Sequence, residues 1–134
     1  MSDQKKSISL PLANPEKNVE AQPRTREEGG DVLSEIAREV AENPVLLYMK
    51  GLPQQPMCGF SARAAAILAS YGRPFHAVDI LVDPDKRQGI KEYSSWPTIP
   101  QVYIGGEFVG GSDILMQLHE NGELGKLIAS VTGE

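Results

Sequence analysis

Cysteine is almost missing from this chain: Cys58 is the only one in 134 residues. A single thiol excludes an intrachain disulfide, which fits a reducing compartment. One thiolate also cannot by itself hold zinc or an iron–sulfur cluster, which normally take four ligands. His76 and His119 fall on separate expected elements and form no ligand pattern, and Met49, Met57 and Met116 are expected to pack. No apolar run approaches the ~18 residues needed to cross a bilayer. There is no G-x-x-x-x-G-K-[ST] and no dinucleotide fingerprint. The carboxylates are scattered rather than paired for acid–base work. Nor is there a basic excess: the formal net charge is −5, which argues against a nucleic-acid surface.

What remains is the composition of an ordinary globular protein, 40% hydrophobic and 23% charged, of a length that suits one domain. The charge is uneven. Residues 1–30 carry Lys5, Lys6, Lys17, Arg24 and Arg26 against Asp3, Glu16, Glu20, Glu27 and Glu28, so they net zero and the rest holds the whole −5. With Pro11, Pro15 and Pro23 and no apolar period, residues 1–30 are expected to be a disordered extension. They lack the apolar core of a secretory signal and are too acidic for a good transit peptide. The domain is expected over 31–134.

From Gly29-Gly30 onward the pattern is regular. Asp31 is a plausible N-cap for a helix with Val32, Leu33, Ile36, Ala37 and Val40 on one face, stopped by Asn43-Pro44. "VLLYMK" (45–50) reads as a buried strand, "GLPQQP" as a loop, and a second helix starts at Cys58 and ends near Tyr71-Gly72. "FHAVDI" (75–80) alternates as a strand. Asp83-Pro84 opens a third helix. "QVYIGGEFVGG" is a hairpin about Gly105-Gly106. Ser112 is expected to cap "DILMQLHE", and Asn121-Gly122 separates it from a last helix, "ELGKLIASV". The order α-β-α-β-α-β-β-α-α predicts an α/β fold with a four-stranded mixed sheet flanked by helices on both faces.

Lone cysteines are often small buried hydrophobes, but Cys58 follows a Pro/Gln loop and begins a helix. There the helix dipole and free N–H groups stabilise a thiolate below the ordinary ~8.5. The position favours a nucleophile or a metal ligand. A C-x-x-C enzyme would carry its second thiol at position 61, where Ser61 stands. Any mixed disulfide at Cys58 must therefore be resolved by an outside thiol. A metal site would need thiols borrowed from a second chain and from small molecules.

"MKGLPQQPMCGFS", "RQGIK" and "WPTIPQVYIGGEFVGGSDI", in that order and spacing from about Pro44 to Leu124, closely resemble the monothiol, CGFS-type glutaredoxins. The resemblance implies a thioredoxin-like fold that binds glutathione. It also implies a [2Fe–2S] cluster bridging a homodimer, held by Cys58 of each chain and two glutathione thiolates. Such proteins carry clusters to Fe–S acceptor proteins, serve iron homeostasis and often pair with BolA-type proteins. They are cluster carriers more than enzymes, placed in a bacterial cytoplasm or a mitochondrial matrix and not secreted.

The resemblance further implies site residues. Lys50 and Arg87 face the glycine carboxylate of glutathione, although Lys86 is adjacent and could do similar work. Pro100 is a cis-proline that turns the Ile99 backbone towards the ligand, with Thr98 beside it and Trp96 and Pro97 shaping the wall. Ser112, at a helix start, and Asp113 take the γ-glutamyl carboxylate and ammonium. Many members carry cysteine where this chain has Ser112, so an alternative disulfide with Cys58 is absent here. The long loop "LPQQP" disfavours attack on a glutathione mixed disulfide. Two alternatives stay open: a glutathione-dependent thiol oxidoreductase that removes glutathione from proteins, and an iron-sensing interaction module.

Overall fold

The computed structural model describes residues 31–133. The expected N-terminal extension, residues 1–30, lies outside the described residues.

Asp31 caps α1 (Val32–Glu42): its carboxylate accepts from Leu33 N at 2.8 Å and Ser34 N at 3.4 Å. The chain continues as β1 (Val45–Met49), β2 (Gly51–Leu52), β3 (Gln55–Pro56), α2 (Gly59–Ala69) and β4 (His76–Asp79). A short 3-10 turn, Ile80–Val82, leads to α3 (Pro84–Ser94), then β5 (Gln101–Ile104), β6 (Glu107–Gly110), α4 (Ser112–Glu120) and α5 (Glu123–Thr132). The four-stranded sheet has the order β4-β1-β5-β6, with β1 parallel to β4 and antiparallel to β5. This is the expected mixed α/β sheet.

β1 is central, and all five of its residues are buried. That is why it reads as an unbroken apolar run rather than an alternating one. Its side chains part to the two faces with period two. Val45, Leu47 and Met49 join Ala64, Leu68, Leu115, Leu124 and Ile128 beneath α2, α4 and α5. Leu46 and Tyr48 join Ile36, Val40, Ile80, Ile90 and Tyr103 beneath α1 and α3. Each such buried Val, Leu, Ile or Met side chain contributes roughly 1.5–3 kcal/mol of burial free energy. The hairpin turns where expected: Gly105 and Gly106 have φ of 63° and 85°, a left-handed pair that suits the twist of β5–β6.

Three local readings are corrected. Leu33 and Ala37 point to solvent, and α1 instead turns Glu35 and Glu39 inwards. The reason is Lys86 of α3, 2% exposed, whose Nζ lies 2.9 Å from Glu35 Oε2 and 2.5 Å from Glu39 Oε2. Tyr48 OH donates to the other Glu39 oxygen at 2.5 Å, and burial pushes the Tyr48 phenol far up. Secondly, "GLPQQP" is not a plain loop: β2 and β3 pair as a small hairpin, closed by Met57 N–H donating to Lys50 C=O at 2.9 Å. Thirdly, Met57 does not pack; it is 63% exposed.

Candidate functional site

The site lies where β1 ends and α2, the 95–100 turn and α4 begin. Lys50 follows β1, and both its backbone groups are tied. Its C=O accepts from Met57, and its N–H donates 3.0 Å to Ser61 Oγ on the first turn of α2. Ser61 is wholly buried, so the hydroxyl at the position of a second thiol is a structural tie between strand and helix. Helix α2 begins one residue later than expected. Cys58 is its N-cap, with extended backbone (φ −159°) and a C=O that accepts from Ala62 at 2.9 Å.

That position lowers the thiol's pKa. The Ser61 N–H is the largest cause, joined by the Phe60 N–H, the Ser61 hydroxyl and the Lys50 ammonium, while partial burial opposes them. Each donor stabilises the thiolate over the thiol, as at other helix N-termini. Cys58 is half-buried between exposed Met57 and Phe60, so it is reachable.

Beside it runs an open groove of about 410 Å³ whose wall includes Lys50, Arg87, Thr98, Ile99, Ser112 and Asp113. All six predicted binding residues are thus brought together from four parts of the chain. Cys58 itself is not in the wall; Phe60 and Lys50 place its end of the groove next to the helix cap. The bond between Ile99 and Pro100 is cis. Among the described residues nothing pairs with the Ile99 N–H, which leaves it available to a ligand.

Ser112 is corrected in one respect. It is the first residue of α4 and not its cap; Gly111 is the N-cap, and Ser112 is buried against the groove. The glycine suits the close approach of α4 to the cis-proline turn. A Cβ on Gly111 would sit 3.2 Å from the Pro100 carbonyl oxygen. Helix N–H groups thereby face the groove beside the Asp113 carboxylate.

Lys86 and Arg87 differ in burial. Lys86 is committed to two glutamates beneath α1, whereas Arg87 is exposed and lines the groove. Sequence reasoning missed Phe60, Lys91 and Ile114, which also line it. Lys91 could have been found, because it lies four residues after Arg87 and so shares its helix face. The wall thus carries three cations, Lys50, Arg87 and Lys91, against one carboxylate, Asp113. Among the described residues no cluster of three or more His, Cys, Asp or Glu could hold a metal ion.

The profile of the Glutaredoxin family matches residues 45–109, from the start of β1 into β6. An uncharacterized monothiol glutaredoxin ycf64-like protein of Synechocystis is 54% identical over 69% of this chain and 87% of its own length. This chain belongs to the monothiol glutaredoxins. Glutaredoxin 4 of Escherichia coli K12 is 51% identical over 72% of this chain and 84% of its own. Among solved structures, reduced poplar apo GrxS14 superposes with a TM-score of 0.66 at 44% identity, covering 75% of this monothiol glutaredoxin and 93% of that chain. The thioredoxin-like glutaredoxin fold follows.

Proposed function

We propose that this monothiol glutaredoxin binds glutathione in the groove and, with it, carries a [2Fe–2S] cluster to acceptor proteins. Glutathione has two carboxylates, one ammonium and one thiol, and the groove offers groups for each. Lys50 and Arg87 face the glycine carboxylate, and the Ile99 main chain, with Thr98 beside it, receives the cysteinyl part. Ser112, at the start of α4, and Asp113 take the γ-glutamyl end. That arrangement points the glutathione thiol towards Cys58.

The donor set fits a shared cluster and not a resident one-chain metal site. One thiolate-prone sulfur stands at an accessible helix cap, and among the described residues no cluster of three or more His, Cys, Asp or Glu could hold a metal ion. Two copies of Cys58 and two glutathione thiolates complete the four sulfur ligands a [2Fe–2S] cluster takes. The cluster is cargo: a homodimer would hold it, BolA-type partners and Fe–S acceptors would meet it, and iron homeostasis is the process served. The domain carrying this activity is 31–134, with 1–30 an extension, in a bacterial cytoplasm or mitochondrial matrix. The observation that carries the proposal is the lone, acidified thiol beside a groove of three cations and one carboxylate.

Titration calorimetry with reduced glutathione tests the groove. Binding by the wild type, weakened in Lys50→Ala and in Asp113→Ala, supports it; no binding by the folded wild type overturns it. The lowered thiol pKa also favours a second reading, reduction of glutathione mixed disulfides. There the Cys58 thiolate takes the glutathionyl sulfur, the protein thiolate leaves, and a second glutathione thiolate releases oxidised glutathione. Turnover well above background in a glutathione-coupled disulfide assay supports that reading, and a background rate removes it.

A further inference from the structure

We infer that Gln101, which does not itself line the groove, is a positioning residue that clamps the Trp96–Thr98 wall in its ligand-binding shape. This rests on the glutathione reading above. Gln101 opens β5 directly after the cis-proline and is wholly buried. Its Nε2 donates to the Trp96 carbonyl at 3.0 Å and to the Thr98 carbonyl at 3.2 Å. Its Oε1 accepts from Tyr103 OH at 3.2 Å.

The carboxamide has one workable orientation. Both carbonyls can only accept, so both amide hydrogens must face them, and a reversed amide would set oxygen against two oxygens. Tyr103 enforces the choice by donating from the other side. It is 1% exposed, and burial pushes its phenol up to about 12, so it keeps its proton at neutral pH. Gln101 and Tyr103 are two residues apart on one strand and so share a face of the sheet.

The clamped segment is the one that meets a ligand: Trp96, Thr98 and Ile99 all line the groove. At its start the segment is already anchored, since Trp96 N–H donates to Lys91 C=O and to Ser94 Oγ, each at 3.1 Å. Beyond that point no other described side chain holds the carbonyls of Trp96 and Thr98, so the centre of the wall depends on Gln101 from behind. A wall that adopts its binding shape only part of the time weakens affinity by that fraction.

Trp96 is the only tryptophan in the chain, so its fluorescence reads this wall without any ligand. The test is Gln101→Glu, which keeps the acceptor for Tyr103 but removes both amide donors. Acrylamide quenching of Trp96 should rise, and glutathione affinity should fall about tenfold if the wall holds its shape a tenth of the time. The alkylation pH profile of Cys58 should stay at the wild-type position, because Ser61 and Lys50 set it. Tyr103→Phe, which keeps both carbonyl bonds and loses only the orienting hydroxyl, should move both readouts the same way by less. It carries the test if Gln101→Glu does not fold. A folded variant with a lower Tm but wild-type quenching and affinity would overturn the inference, as would quenching that rises while affinity does not change. If the wild type binds no glutathione, the functional reading fails by itself, and Trp96 quenching still decides whether the clamp exists.

Discussion

Lys86 and Arg87 are neighbours of like charge on helix α3, and they face opposite surroundings. Lys86 turns under α1, where it meets Glu35 and Glu39, and the Tyr48 hydroxyl donates to the same Glu39. Arg87 lines the open groove beside the thiol. The difference teaches that a charge here serves stability or recognition according to its helix face. Burial turns one lysine into a structural part, and exposure leaves its neighbour free for a ligand.

Breaking the buried member should have the largest effect. Lys86→Ala removes the buried ammonium that faces the Glu35 and Glu39 carboxylates, so stability should fall by about 3–5 kcal/mol, measured by urea unfolding. Glutathione affinity of the folded fraction should hardly change. Ser61→Ala comes next. It removes the acceptor of the part-buried Lys50 N–H and should cost about 1–3 kcal/mol. It should also raise the Cys58 pKa, read from the pH dependence of iodoacetamide alkylation.

Arg87→Ala is the mirror image of the Lys86 change. Stability should stay within about 0.5 kcal/mol, while glutathione affinity drops about tenfold, in line with a charge-assisted hydrogen bond of roughly 1.5–3 kcal/mol. Equal loss of affinity in Lys86→Ala and Arg87→Ala would erase the distinction between them.

The smallest effect is a dependence on pH. The folded Cys58 thiol lies below its unfolded value of ~8.5. Its contribution to stability is therefore fully present above ~8.5 and lost as pH falls through the folded pKa. The stability of the wild type relative to Cys58→Ser should accordingly rise with pH across that window. A difference that is flat or falls with pH would contradict the acidified thiol.

Much of this molecule was legible before any coordinates. Asp31, Asn43-Pro44, Asp83-Pro84 and Gly105-Gly106 are local punctuation whose physics needs no tertiary context, so element order and sheet type followed. The face of α1 was not legible, because counting apolar positions favours Leu33 and Ala37 over Glu35 and Glu39. Only a lysine contributed by a distant helix makes the glutamates the buried pair. The hairpin at 51–56 escaped notice because two-residue strands leave no periodicity. Met57 was read as packing because its sequence context does not show that the β2–β3 hairpin holds it out in solvent.

Of the groove's lining, the six expected binding residues were named through the strings that resemble the family. Those strings supply residues that line the groove. Lys91 was within reach of a helix-spacing argument, whereas Gln101 acts from behind the wall, and its partners are two backbone carbonyls that no side-chain pattern reveals. Arg87 could not be separated from Lys86 without knowing which face of α3 meets α1.

The most direct test is anaerobic reconstitution with iron and sulfide, with and without glutathione, reading visible absorption and native mass together. The prediction is a [2Fe–2S] spectrum on a dimer that forms only with glutathione and is lost in Cys58→Ser. A colourless monomer under every condition, or a cluster that persists without Cys58, would contradict the shared-ligand site.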